Sequence, residues 1–311
     1  MIKRILSVLL VLVTLLSLVG CKGEKPQNSG KIKIVTTLFP LYDFTREIVG
    51  DKAEVSMLLP FGAEPHSYEP TISDIATINT GDLIVYIGGE SDIFLEKVET
   101  SGEVLKLSEV ADTYTLKDIA ANTGDGFSEH HHDHEHTNKL DFDEHIWLSP
   151  KNAQKMVDSI LEKVLELDKE NAEFYKHNAK KYKRSLQILD EGFDSINKQK
   201  PIIVADRFPF GYLLHDYSLN FLAAINGCTS DSEPTVNTMK FLMDTIKAQK
   251  IDTVFTIEFS PKTVAKRLQK ECGVKIKTLY SMQSISKSDF ENGESYISLM
   301  NKNLELLKEV D

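Results

Sequence analysis

Glu54-Val55-Ser56-Met57-Leu58-Leu59, then Ile72-Ser73-Asp74-Ile75-Ala76-Thr77-Ile78-Asn79, then Asp82-Leu83-Ile84-Val85-Tyr86-Ile87 pass from a strand pattern through a helical one to a second strand. The alternation extends in both directions. Lys31–Thr37 and Glu103–Leu107 read as further strands, with helical patterns over Leu41–Val49 and Ile93–Glu99. The second half repeats the theme: strands over Pro201–Asp206, Leu219–Ala224, Asp252–Glu258 and Val274–Tyr280, with helices over Val236–Gln249, Pro261–Cys272 and Glu291–Val310. Such alternation predicts an α/β chain of two lobes, each with a mainly parallel sheet flanked by helices.

Between the halves, Phe174, Tyr175, Ala179, Tyr182, Leu186, Leu189, Phe193 and Ile196 recur at helical spacing and form one apolar stripe. With Asp168 as N-cap, a helix over 168–197 would be roughly 45 Å long at 1.5 Å per residue and could join the lobes rigidly. The stripe is too short and too aromatic for a coiled-coil seam, so a monomer is expected. The boundaries that follow are a leader over 1–20, a polar tether over 21–30, a first lobe over 31–167, the linking helix over 168–197 and a second lobe over 198–311.

Lys3 and Arg4 precede an apolar run, Ile5 to Val19, and then Gly20-Cys21. This is the layout of a secretory signal. Cys21 directly after a small residue looks like the lipobox of bacterial lipoproteins, whose cysteine carries the lipid. No second apolar span of membrane length follows. The expected location is extracytoplasmic, lipid-anchored to a bacterial membrane. Residues 1–20 carry two cations and no acid, so their removal moves the formal charge from −11 to −13. A chain this acidic suits cations and not nucleic acid. Beyond Cys21, only Cys228 and Cys272 remain, and spacing alone does not say whether they are bonded.

Five of the nine histidines, His130, His131, His132, His134 and His136, lie within Glu129–His136. Imidazoles and carboxylates in such density cannot form a core, but they can gather a borderline-soft divalent cation. Two further histidines have better-defined settings. His66 sits in Pro60-Phe61-Gly62-Ala63-Glu64-Pro65-His66, a loop stiffened by prolines at the carboxyl end of a strand, where open α/β sheets place their ligands. His145 follows Asp141-Phe142-Asp143-Glu144 and precedes Trp147, with Ser149-Pro150 opening a helix as N-cap and first residue. His177 and His215 fall inside helical patterns and read as surface or packed residues.

Gly62–Thr71 with Asp74 downstream, Asp82–Glu90, and Asp143–Pro150 together resemble the solute-binding lipoproteins of bacterial ABC uptake systems for zinc and manganese, closest to the ZnuA-type zinc branch. The resemblance covers nearly the whole mature chain. It implies two α/β lobes holding one divalent ion in the cleft between them. It also implies that His66 and His145 are the first two ligands, and that Glu129–His136 is the accessory histidine-rich loop that zinc members often carry.

The second lobe departs from the family pattern. Arg207 stands three residues before Phe210-Gly211-Tyr212, where the family usually has a histidine or glutamate, and arginine does not bind zinc. Asp206 could substitute. Tyr280-Ser281-Met282 stands where a late aspartate is usual, which leaves Glu258 as the best remaining carboxylate. Glu233 matches a recurring glutamate whose expected role is a hydrogen bond or salt bridge, with Arg207 as a candidate partner. The expected ligand set is thus His66, His145, Glu258 and Asp206, and nitrogen donors favour Zn2+ over Mn2+. The expected activity is capture and delivery of zinc to an ABC permease, without catalysis. A zinc hydrolase would also suit two histidines and a carboxylate, yet the chain has no His-Glu-x-x-His, Gly-x-Ser-x-Gly or phosphate-loop pattern. Nothing in the sequence marks an adhesive surface, the third alternative.

Overall fold

The computed structural model describes residues 30–124, 142–196, 200–227 and 233–309. The leader, Cys21, the loop over 125–141 with its five histidines, and Cys228 lie outside them. The first half contains β1 (Lys33–Thr36), α1 (Phe39–Val49), β2 (Glu54–Met57), α2 (Ile72–Thr80), β3 (Leu83–Tyr86), β4 (Glu103–Lys106) and the short α3 (Leu116–Ile119). Two long helices follow, α4 (Pro150–Leu167) and α5 (Ala172–Asp194). The second half contains β5 (Ile202–Phe208), α6 (Gly211–Tyr217), β6 (Phe221–Asn226), α7 (Val236–Gln249), β7 (Thr253–Ile257), α8 (Thr263–Cys272), β8 (Lys275–Leu279), α9 (Lys287–Glu291) and α10 (Tyr296–Lys308).

Both sheets are parallel and four-stranded, ordered β2-β1-β3-β4 and β6-β5-β7-β8. All four residues of β3, Leu-Ile-Val-Tyr, are buried, as expected for a strand covered on both faces. In each sheet the strand order reverses at the centre, between β1 and β3 and between β5 and β7. Beyond the carboxyl ends of strands at such a reversal lies the crevice where α/β sheets bind ligands. One apolar core, from Ile34 to Leu307, runs through both lobes and the long helices without a break.

Local signals explain the helix ends. Thr71 and Asp74 cap each other's backbone N–H groups at the start of α2. Ser149 accepts from the Asn152 N–H, with Pro150 in the first turn of α4. Gly50, at φ 53°, ends α1 beneath Phe174, where a Cβ would sit 3.0 Å from the ring.

Several boundaries differ from the sequence reading. The linking helix begins at Ala172. Asp168 instead closes α4 and accepts hydrogen bonds from the Asn171 amide and the Tyr175 hydroxyl. At 23 residues, α5 is about 34 Å long. Its stripe is buried from Tyr175 to Ile196, whereas Phe174 is 38% exposed. Ile93–Lys97 is a 3₁₀ segment. The last helical pattern divides at Gly293, φ 81°, after which Ser295 and Ser298 cap α10. After α3 the chain crosses to the second sheet, where Asn122 bridges in parallel to Leu222 of β6. Cys272, at the end of α8, is a half-buried free thiol.

Candidate metal centre

His66 lies on a 3₁₀ turn, Pro65–Ser67, just beyond β2. The proline fixes the entry to the turn, so the ring is presented by stiff backbone. Neither ring nitrogen has a hydrogen-bond partner although both are buried. Nδ1 stands 3.4 Å from Glu144 Oε1. Buried polar atoms are rarely left unpaired, so a ring with two such nitrogens is suited to an ion.

His145 leads into the 3₁₀ turn Ile146–Leu148 and is 2% exposed. Its backbone N–H donates to Asp143 Oδ1 at 2.8 Å, and its ring Nδ1 lies 2.8 Å from the same oxygen. A carboxylate only accepts, so the ring proton sits on Nδ1 and Nε2 carries the lone pair, the usual arrangement of an oriented metal-ligating histidine. The His66 and His145 rings are 6.1 Å apart.

Glu144 completes the group. It is buried, and both its oxygens accept from Ser91, from the backbone N–H at 2.8 Å and from the hydroxyl at 2.5 Å. Burial raises its pKa, so a nearby cation would stabilise its charged form. Gly89 allows this approach, since a Cβ there would meet Glu144 Oε2 at 2.2 Å. One ligand atom each from His66, Glu144 and His145 lie within 4.8 Å of one another. Among the described residues this is the only group of three or more histidine, cysteine or acidic side chains so placed. In the sequence Glu144 stands out no more than the neighbouring acids Asp141 and Asp143. Its position directly before His145 was the available signal.

Beside this group, a cavity of about 150 Å³ between the Gly62–Pro65 loop and the second lobe is lined in part by Glu64, Arg207, Glu258, Gln283 and Ser284. Asp206 lies near the end of β5, beside a register shift between Val204 and Arg207. Its Oδ1 accepts from the Arg207 N–H at 2.9 Å, and its buried Oδ2 has no hydrogen-bond partner. Arg207 donates across the lobes to Glu64 Oε2 at 3.0 Å, and Glu233 is exposed. Glu258 is engaged elsewhere: Ser281 N–H, Ser281 Oγ and Met282 N–H donate to its carboxylate at 2.7, 2.8 and 2.6 Å. It therefore pins the turn after β8, where Met282 has φ 59°. From that turn Gln283 reaches His145, with Nε2 to Nε2 at 2.5 Å. His177 and His215 are exposed on α5 and α6.

Comparison with known proteins agrees with this architecture. A family model described as zinc-uptake complex component A, periplasmic, matches residues 34–310. The chain is 37% identical to the zinc-binding lipoprotein AdcA of Streptococcus pneumoniae over 98% of its own length and 60% of that protein's. It therefore spans about three-fifths of that relative. It is 32% identical to the high-affinity zinc uptake system protein ZnuA of Bacillus subtilis, over 93% of this chain and 90% of that one. The crystal structure of the Zn(II)-bound ZnuA-like domain of S. pneumoniae AdcA superposes with a TM-score of 0.70 at 32% identity, covering 90% of this chain and 99% of that domain.

Proposed function

This chain belongs to the ZnuA family of periplasmic zinc-uptake components, and from that membership we propose that it captures zinc outside the cytoplasm and hands it to an ABC-type permease. In this reading the chain is held at the membrane by lipid on Cys21 and acts by binding, not catalysis. The zinc names of its relatives support the choice of ion. The observation that carries the reading is the His66–Glu144–His145 group, whose ligand atoms converge within 4.8 Å. Two imidazoles and a carboxylate are a set zinc accepts readily, and they leave one coordination position open. Asp206 and Glu258 lie outside that group: Asp206 has a buried oxygen without a hydrogen-bond partner, whereas Glu258 serves the turn that carries Gln283. His130, His131, His132, His134 and His136 form an accessory collector that raises the local zinc concentration near the cleft.

Calorimetric titration of the purified chain with zinc and with manganese tests the proposal. Zinc is expected to bind more tightly, and replacing both His66 and His145 with alanine is expected to remove the high-affinity event. Tight zinc retention by that double variant, or a clear preference for manganese in the wild type, would count against it.

A further inference from the structure

We propose that Gln283 is an internal competitor for the ion: its side-chain amide occupies the His145 lone pair that zinc must take. The inference rests on the zinc-capture reading and concerns what sets the strength of that capture. With the ring proton of His145 held on Nδ1 by Asp143, Nε2 offers one in-plane lone pair. The Gln283 amide nitrogen lies 2.5 Å from it and, as a donor, fills it. A lone pair that accepts a hydrogen bond cannot coordinate a metal at the same time.

The amide is aimed by its backbone. Glu258 accepts from Ser281 and Met282, and Asn303 exchanges hydrogen bonds with both the N–H and the C=O of Tyr280, each at 2.8 Å. Ser281 O accepts from the Trp147 indole at 2.8 Å, and Ser284 Oγ accepts from the Gly62 N–H at 3.0 Å. Met282 is held in the left-handed region, a conformation that a side-chain-bearing residue keeps only where the surroundings over-determine it.

The two imidazoles therefore differ. Both nitrogens of His66 are without a hydrogen-bond partner, while His145 Nε2 is stoppered from the opposite lobe. Zinc meets His66 and Glu144 first, and His145 joins when the Gln283 side chain swings away. The second lobe thereby weakens the hold on the ion and eases its release.

The test is zinc affinity of the full chain, by competition with a chelating dye, for wild type, Gln283→Ala and Gln283→Leu. Leucine keeps the bulk and removes the donor. Removing a neutral hydrogen bond that competes with the ion should tighten binding about two- to tenfold. In the metal-free Gln283→Leu protein, the ¹⁵N resonance of His145 Nε2 should move toward the value of an unbonded ring nitrogen. Unchanged zinc affinity in Gln283→Leu would overturn the proposal, and weaker binding would do so by marking Gln283 as a ligand. His145→Ala in the same assay separates the two readings. Loss of zinc there leaves the capture reading standing whatever Gln283 does, and retention strikes at the capture reading itself.

Discussion

Alanine in place of Trp147 is expected to lower the unfolding free energy by about 3–5 kcal/mol, the range for emptying a buried aromatic site. For a chain of this size that corresponds to a fall of about 6–20 °C in Tm. Trp147 is fully buried in the core that both lobes share. Its indole N–H donates to Ser281 O in the second lobe, and its own C=O accepts from the Tyr296 hydroxyl at 2.5 Å. The substitution removes a large apolar volume and leaves Ser281 O without this donor. It also undermines the His145 ring, 5.2 Å away. Trp147→Phe keeps most of the volume and should cost much less. Thermal and denaturant unfolding of both variants measures the difference, and a loss under about 1 kcal/mol for alanine would show that the lobes do not depend on this contact.

Glu144→Ala is expected to weaken zinc binding by at least about 10–100-fold, the loss found when even the supporting partners of metal ligands are removed. The carboxylate supplies the negative charge beside His66 and is already desolvated and oriented by Ser91. Little further ordering is then needed when the ion arrives. Glu144→Gln, which keeps the shape and loses the charge, should lie between alanine and wild type. Chelator-competition titration measures both, with a thermal melt confirming that each variant is folded. Affinity within twofold of wild type for Glu144→Ala would remove it from the ion's shell.

All eight strands were legible because their signals are local: apolar runs broken by turn residues at regular intervals. The α4 start was equally clear from Ser149-Pro150. Asp168 misled because an acid at the end of one helix and the start of the next offers the same cap signal to either. The structure uses it to close α4 while still holding Asn171 and Tyr175. His66 and His145 could be singled out because each is displayed by a loop with a recognisable frame. What remained hidden depends on packing between distant segments. Nothing in the sequence says that Ser91 aligns Glu144, that Glu64 takes Arg207, or that Glu258 is consumed by the turn that delivers Gln283. Those pairs are 53, 143 and 23 residues apart, so only the fold brings them together.

The position of the ion is the most direct test of this account. In crystals of the zinc-loaded chain, anomalous scattering at the zinc edge should locate one ion bonded to His66, Glu144 and His145 at about 2.0–2.2 Å, with Gln283 turned away from His145. A zinc peak in the cleft bound to Glu258 and Asp206, with no bond to positions 66 and 145, would contradict it.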